Sequence, residues 1–207
     1  PDLNSGGATE FSPEGKKILT SSRDETARLW NTEGKMLHSY KGHTATVNKA
    51  VFSPDMNRVV TVSDDHNVGI WYITGQNMTY MEEHSSDVTD VNYAPEGALF
   101  VTASEDNTAR LWNSSGELLK SFRKHVDDVT TAFFLPDNQG IFTASRDNTA
   151  YIWNYYGDVI RNLEGHKAPI NAAAVVNNGN SLYTASDDFN AYRWMLSSRQ
   201  GQMYAGH

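Results

Sequence analysis

Residues 22–31 read SRDETARLWN, residues 104–113 read SEDNTARLWN and residues 145–154 read SRDNTAYIWN. Two weaker copies, SDDHNVGIWY at 63–72 and SDDFNAYRWM at 186–195, complete a set of five. Every tryptophan lies on one arithmetic series, Trp30, Trp71, Trp112, Trp153 and Trp194, each 41 residues after the last. His43, His84, His125, His166 and His207 keep the same step, and so do Thr20, Thr61, Thr102, Thr143 and Thr184. The serines from Ser22 to Ser186 and the aspartates from Asp24 to Asp188 add two further series. Five residue types sharing one period, with no insertion, make an internal repeat of 41 residues.

The second copy shows what one unit is. VNKAVF (47–52) alternates small or polar with apolar residues, and RVVTVS (58–63) is β-branched. VGIWYI (68–73) is a third strand and MTYME (78–82) a weak fourth, with Pro, Asp, Asn and Gly turns between. Four short strands about 10 residues apart describe an antiparallel meander, and no stretch holds a helical period. The fold class is all-β. A four-stranded sheet cannot bury both faces alone, so the sheets must stack on one another.

The unit resembles a WD repeat. It carries a Gly-His pair, an FSPEG (11–15) or FSPDM (52–56) turn, Ser-x-Asp, and a strand ending in Trp. The resemblance covers essentially all 207 residues and implies a β-propeller of five four-stranded blades, one domain over 1–207. The units are 3–43, 44–84, 85–125, 126–166 and 167–207. The Asp that usually follows the Trp is missing from all five copies, being Asn31, Asn113, Asn154, Tyr72 and Met195.

The resemblance also implies one buried hydrogen-bonded set per unit. These are His43, Ser63 (or Thr61), Asp65 and Trp71; His84, Ser104, Asp106 and Trp112; His125, Ser145, Asp147 and Trp153; and His166, Ser186, Asp188 and Trp194. In each the Asp orients the imidazole, which addresses a hydroxyl and the indole N–H. Asp2 stands where the first copy's His would be, so His207 is expected to complete the set of Ser22, Asp24 and Trp30. That arrangement would close a five-blade ring. A larger ring completed by another chain through self-association, and an excerpt from a longer array, remain open beside it.

His, Ser and Asp together invite a catalytic reading, but a triad needs one nucleophile, one base and one acid at one pocket. Five equal copies without a strained nucleophile turn suit staples better than an enzyme. No His-x-His or His-x3-His pair offers local chelation, so no metal or other cofactor is expected. The absence of cysteine excludes disulfides and thiolate sites. With 25 acids against 17 bases the formal charge is −8, the wrong sign for a nucleic-acid surface. No run has transmembrane length, so no membrane contact is expected, and a cytoplasmic location is the default.

Function should lie where the repetition stops. One such column follows the repeated Ser: Arg23, Asp64, Glu105, Arg146 and Asp187. A second follows the Asp and includes His66 and Phe189, and a third follows the His. All fall in loops of one face, and Arg, His and Phe are types that anchor interfaces. The expectation is a non-enzymatic scaffold that binds a protein or peptide on that face. The alternative is an engineered, reconstructed or recently amplified propeller with no specific ligand.

Overall fold

The computed structural model describes residues 8–75, 78–136, 140–176, 180–197 and 201–205. Among them are twenty strands in five antiparallel four-stranded sheets, each strand pairing with its neighbour in sequence. In the second sheet β5 (Val47–Phe52), β6 (Arg58–Ser63), β7 (Val68–Tyr72) and β8 (Met78–Met81) fall on the segments whose composition predicts them. The other sheets repeat this plan over β1–β4 (9–41), β9–β12 (88–123), β13–β16 (129–163) and β17–β20 (170–205). The first strand of the first copy is short, Thr9–Phe11, and Gly6 and Gly7 lie outside the described residues.

The Asn that replaces the expected Asp after the tryptophan keeps the turn. Asn31 Oδ1 accepts the backbone N–H of Glu33 at 3.1 Å and of Lys35 at 2.8 Å. Asn113 and Asn154 do the same for Ser115 and Glu117 and for Tyr156 and Asp158. Only a side-chain oxygen at that reach is needed, so the amide serves as well as a carboxylate.

Four apolar clusters hold consecutive sheets together, one at each junction. Leu29 and Tyr40 of the first sheet pack with Val59 and Trp71 of the second. Ile70 and Met81 meet Phe100 and Trp112, Leu111 and Phe122 meet Ile141 and Trp153, and Ile152 and Leu163 meet Leu182 and Trp194. The tryptophan of every unit from the second onward is thus a wedge between sheets.

A polar seam runs beside each cluster. Inner strands β5 and β13 are bulged at Asn48 and Thr130, and the pairing of β9 with β10 skips Thr89. A bulge turns its extra side chain out of the ladder. Asn48 donates to the carbonyl of Val88 at 3.0 Å, Thr89 to Val129 at 3.2 Å and Thr130 to Ile170 at 2.7 Å, each in the next sheet.

The junctions carry the stability. Phe142 is fully buried in the fourth cluster, whereas Phe11 is 61% exposed. Phe142→Ala is expected to cost about 3–5 kcal/mol in urea unfolding. Phe11→Ala is expected to stay within about 0.5 kcal/mol of the parent.

Candidate functional site

Two groups of polar residues could form a site: the repeated set inside each unit and the unrepeated residues around it. In the repeated set, the strand order of each sheet brings His43 beside Asp65 and Thr61. His43 Nδ1 lies 2.8 Å from Asp65 Oδ2, and Nε2 lies 2.7 Å from Thr61 Oγ1. Trp71 Nε1 donates to the same Thr61 Oγ1 at 2.9 Å. The distances recur around Thr102, Thr143 and Thr184 for His84, His125 and His166.

The hydroxyl in the relay is therefore threonine rather than Ser63, Ser104, Ser145 or Ser186, and the imidazole does not bond the indole. The threonine sits two residues earlier, on the interior of the middle strand, where both rings reach it. The serines brace the aspartate turn instead. Ser63 Oγ accepts the Asp65 N–H at 3.1 Å and donates to the Ala45 carbonyl, and Ser104, Ser145 and Ser186 do likewise.

Asp65 does more than orient the ring. Its Oδ2 also accepts the Thr44 N–H at 2.9 Å and its Oδ1 the Asn67 N–H at 3.0 Å. One carboxylate thus ties the loop after the histidine to its own turn.

The first unit departs from this plan. Trp30 donates to Thr20 at 3.0 Å, the Asp24 N–H donates to Ser22 Oγ at 3.2 Å, and Asp24 Oδ1 accepts the Thr26 N–H at 3.2 Å. The Asp24 oxygen that elsewhere faces a histidine is taken by Arg28. His207 lies outside the described residues.

Proton direction in the relay follows because the tryptophan can only donate and, among the described residues, His43 Nε2 is the one acceptor that faces the Thr61 hydroxyl proton. Thr61 must then donate to His43 Nε2, and Nδ1–H must donate to Asp65, so the imidazole is neutral and the carboxylate anionic. Burial pushes the His43 and His84 pKa values down, against the pull of Asp65 and Asp106. Burial pushes the aspartates up, but their hydrogen bonds win, and Asp65, Asp106 and Asp147 end below the usual carboxylate range. Asp188, held by the Lys167 N–H and His166, is brought down to about 2. The polar atoms of the relay thus find their partners within the unit. Among the described residues, no group of three or more His, Asp or Glu could hold a metal ion.

The unrepeated residues gather on the turn face. The backbone N–H of Asp64, Glu105, Arg146 and Asp187 bonds the carbonyl of Thr46, Asp87, Asp128 and Pro169, respectively, at 2.9–3.0 Å. The column after Ser is thereby laid against the loop after His. His66 Nε2 lies 3.3 Å from Asp87, and Arg146 lies 3.4 Å from Asp128. Burial and then the charge of Asp64 raise the Asp87 pKa; burial and then Asp128 and Asp87 raise that of Glu105. Arg23 and Asp187 are exposed, the latter accepting from Asn171.

Glu25, His66, Asn107, Asn148 and Phe189 all have left-handed backbone, with φ between 64° and 70°. Asn tolerates that region; a bulky aromatic does not. Phe189 accepts it while 70% exposed.

A cluster that sequence reasoning missed lies on the inner strands. Lys49 Nζ donates to Asp90 at 2.8 Å and to Asn92 at 3.0 Å, and Thr131 donates to Asp90 at 2.7 Å. It borders a cleft of about 490 Å³ that Phe133 and Val175 also line. The signal was available, because the column Ala8, Lys49, Asp90, Thr131 and Ala172 breaks the repeat as sharply as the turn columns do. Asp90 is buried and its oxygens are filled from within, so it ties three sheets together.

Thr102→Val leaves the Trp112 N–H and His84 Nε2 buried and unpaired, at about 1–3 kcal/mol for each. Urea unfolding should show that loss, while Thr102→Ser should stay close to the parent. Because the histidine and aspartate pKa values are lowered on folding, the unfolded chain binds more protons at low pH. Stability is expected to be full above pH 6.5, the ordinary histidine value, to decline below it, and to fall again below 3.8 as the aspartates protonate. A urea midpoint rising as pH drops from 7 to 5 would contradict the neutral relay.

Five stretches, 7–31, 34–72, 75–113, 116–154 and 157–194, match the family described as WD domain, G-beta repeat. No curated protein gives a significant match. Propellers of this family generally act as scaffolds for protein interaction rather than as enzymes. With five matches spanning most of its length and a Trp–Thr–His–Asp relay in four successive sheets, the chain belongs to the WD40 repeat family.

Proposed function

We propose that this chain is a non-enzymatic recognition module that binds a basic segment of a partner protein across its turn face. The observation that carries this reading is the crowding of Asp64, Asp87, Glu105 and Asp128 on one turn face, where burial and then the neighbouring carboxylates raise the pKa of Asp87 and Glu105. Carboxylates held together against burial are relieved by an incoming cation. Arg146, beside Asp128, bounds the acidic stretch on one side. Phe189 supplies an apolar anchor, since a strained and exposed aromatic suits a residue that is buried only when a partner arrives. Arg23 and Asp187 lie farther along the same column and extend the face.

The test uses fluorescently labelled peptides rich in Lys and Arg, with Glu/Asp-rich peptides of equal length as controls. The basic set is expected to bind, more weakly as salt rises, and more weakly as pH falls towards the raised carboxyl values. Glu105→Gln with Asp128→Asn is expected to lower affinity about tenfold, and Phe189→Ala about tenfold again, with urea midpoints no lower than the parent's. Equal binding of both peptide sets, or none of either, would overturn the reading. The second outcome would favour a propeller without a specific ligand.

A further inference from the structure

Inner strands β5, β13 and β17 each have one edge that pairs with no other strand. On β5 and β13 that edge is met by side chains of the preceding sheet. Glu10 Oε2 accepts the Phe52 N–H at 2.9 Å. Asp90 Oδ2 accepts the Ala132 N–H at 3.2 Å, and Asn92 Nδ2 donates to the Ala132 carbonyl at 2.8 Å. Ala132 thus finds one acceptor and one donor on β9.

Ala173 repeats the position of Ala132 on β17, lying opposite Thr184 as Ala132 lies opposite Thr143. Opposed residues of an antiparallel ladder alternate between bonding each other and turning both backbone groups outward. Ala132 shows that this position turns outward. On the fourth sheet, however, Thr131 and Phe133 stand where the third has Asp90 and Asn92. The Phe133 side chain has no polar atom, and the Thr131 hydroxyl is turned back to Asp90 at 2.7 Å. Among the described residues, no side chain bonds the Ala173 N–H or carbonyl. Both strands are described in full here, so the gap comes from the residues of the fourth sheet themselves. It opens on the cleft of about 490 Å³, which Ala172, Ala173, Ala174 and Phe133 help to line.

We propose that this cleft binds a small molecule through a planar carboxamide seated on the Ala173 edge. The ligand's C=O accepts the Ala173 N–H, and its N–H donates to the Ala173 carbonyl. These are the bonds that Asp90 and Asn92 supply to Ala132. A carboxylate can take only the first and sets its other oxygen against the carbonyl. The small side chains of Ala172 and Ala174 leave room beside the edge, and Phe133 offers an apolar wall, so an aromatic body completes the ligand.

Benzamide is the probe, with benzoate as its anionic isostere and toluene as the body alone. In a titration followed by backbone amide NMR, benzamide is expected to move the Ala173 amide resonance and to saturate. Benzoate and toluene are expected to bind about tenfold more weakly or less well still. Ala173→Pro removes the donor at an outward-facing edge position, where proline is tolerated, and should weaken benzamide about tenfold. Ala172→Leu fills the cleft, keeps every backbone donor and should abolish binding. Ala172 is exposed, so that variant's urea midpoint should match the parent and keeps the test valid if Ala173→Pro does not fold. An unmoved Ala173 resonance, equal binding of benzoate, or benzamide affinity unchanged by Ala172→Leu each overturns the proposal.

Discussion

The hydroxyl of Thr61 accepts from the Trp71 indole at 2.9 Å and faces the His43 imidazole at 2.7 Å, and Thr102, Thr143 and Thr184 stand in the same position. That oxygen accepts from the indole, which can only donate, and gives its own proton to the imidazole, the one acceptor among the described residues that faces it. That direction fixes the histidine tautomer, which fixes the aspartate as an anion, which in turn gathers the N–H groups of two turns. Protonating the imidazole would turn its Nε2 into a second donor aimed at the same threonine. The threonine proton would then have no acceptor in a site that excludes water. Each unit is consequently held by a chain of bonds that works in one direction only.

The relay also sets how the units meet. By pinning the indole N–H inside its own sheet, Thr61 leaves the ring of Trp71 packed against Leu29 and, at an interplanar angle of 58°, against Tyr40 of the sheet before it. Intra-sheet polarity and inter-sheet packing are thus two sides of one aromatic residue. The bulge at Asn48, Thr89 or Thr130 performs the same service for the backbone, giving up one ladder position so that a side chain can reach across. An isolated sheet of this type would expose the tryptophan and strand that donor. This is why the repetition is structural before it is functional.

Much of this was legible in the sequence because the requirement is local and recurs. Strands, turns and the His–Asp–Trp constellation could be placed from a period of 41 and from residue type alone. The choice between Thr61 and Ser63 could not, since both are hydroxyls on one strand two residues apart and both recur five times. Only the distance to the two rings separates the relay from the brace at the turn. Arg28 at Asp24 was hidden for a different reason: Gly69, Arg110, Tyr151 and Tyr192 share its column, so nothing in the repeat marks it. The Lys49–Asp90–Thr131 cluster breaks a column visibly, yet its members come from three different units. Its meaning emerges only when the inner strands lie side by side.

The carboxylates divide according to whether they repeat. Asp65, Asp106, Asp147 and Asp188 keep their side chains nearly inaccessible, and each is met by backbone N–H groups and an imidazole, so the anion is stabilised in spite of burial. Asp87 and Glu105 stand a few residues away on the same face and move in the opposite direction, because burial and neighbouring carboxylates outweigh the pull of His66 on the first and of Arg146 on the second. A fold selected only for stability would gain by turning such positions neutral or basic, as the same column does at Arg146. Unrepeated acids therefore carry an unfavourable interaction that the repeated acids have resolved. On the function proposed above, a cation from a partner lowers that free energy without altering the relay beneath it.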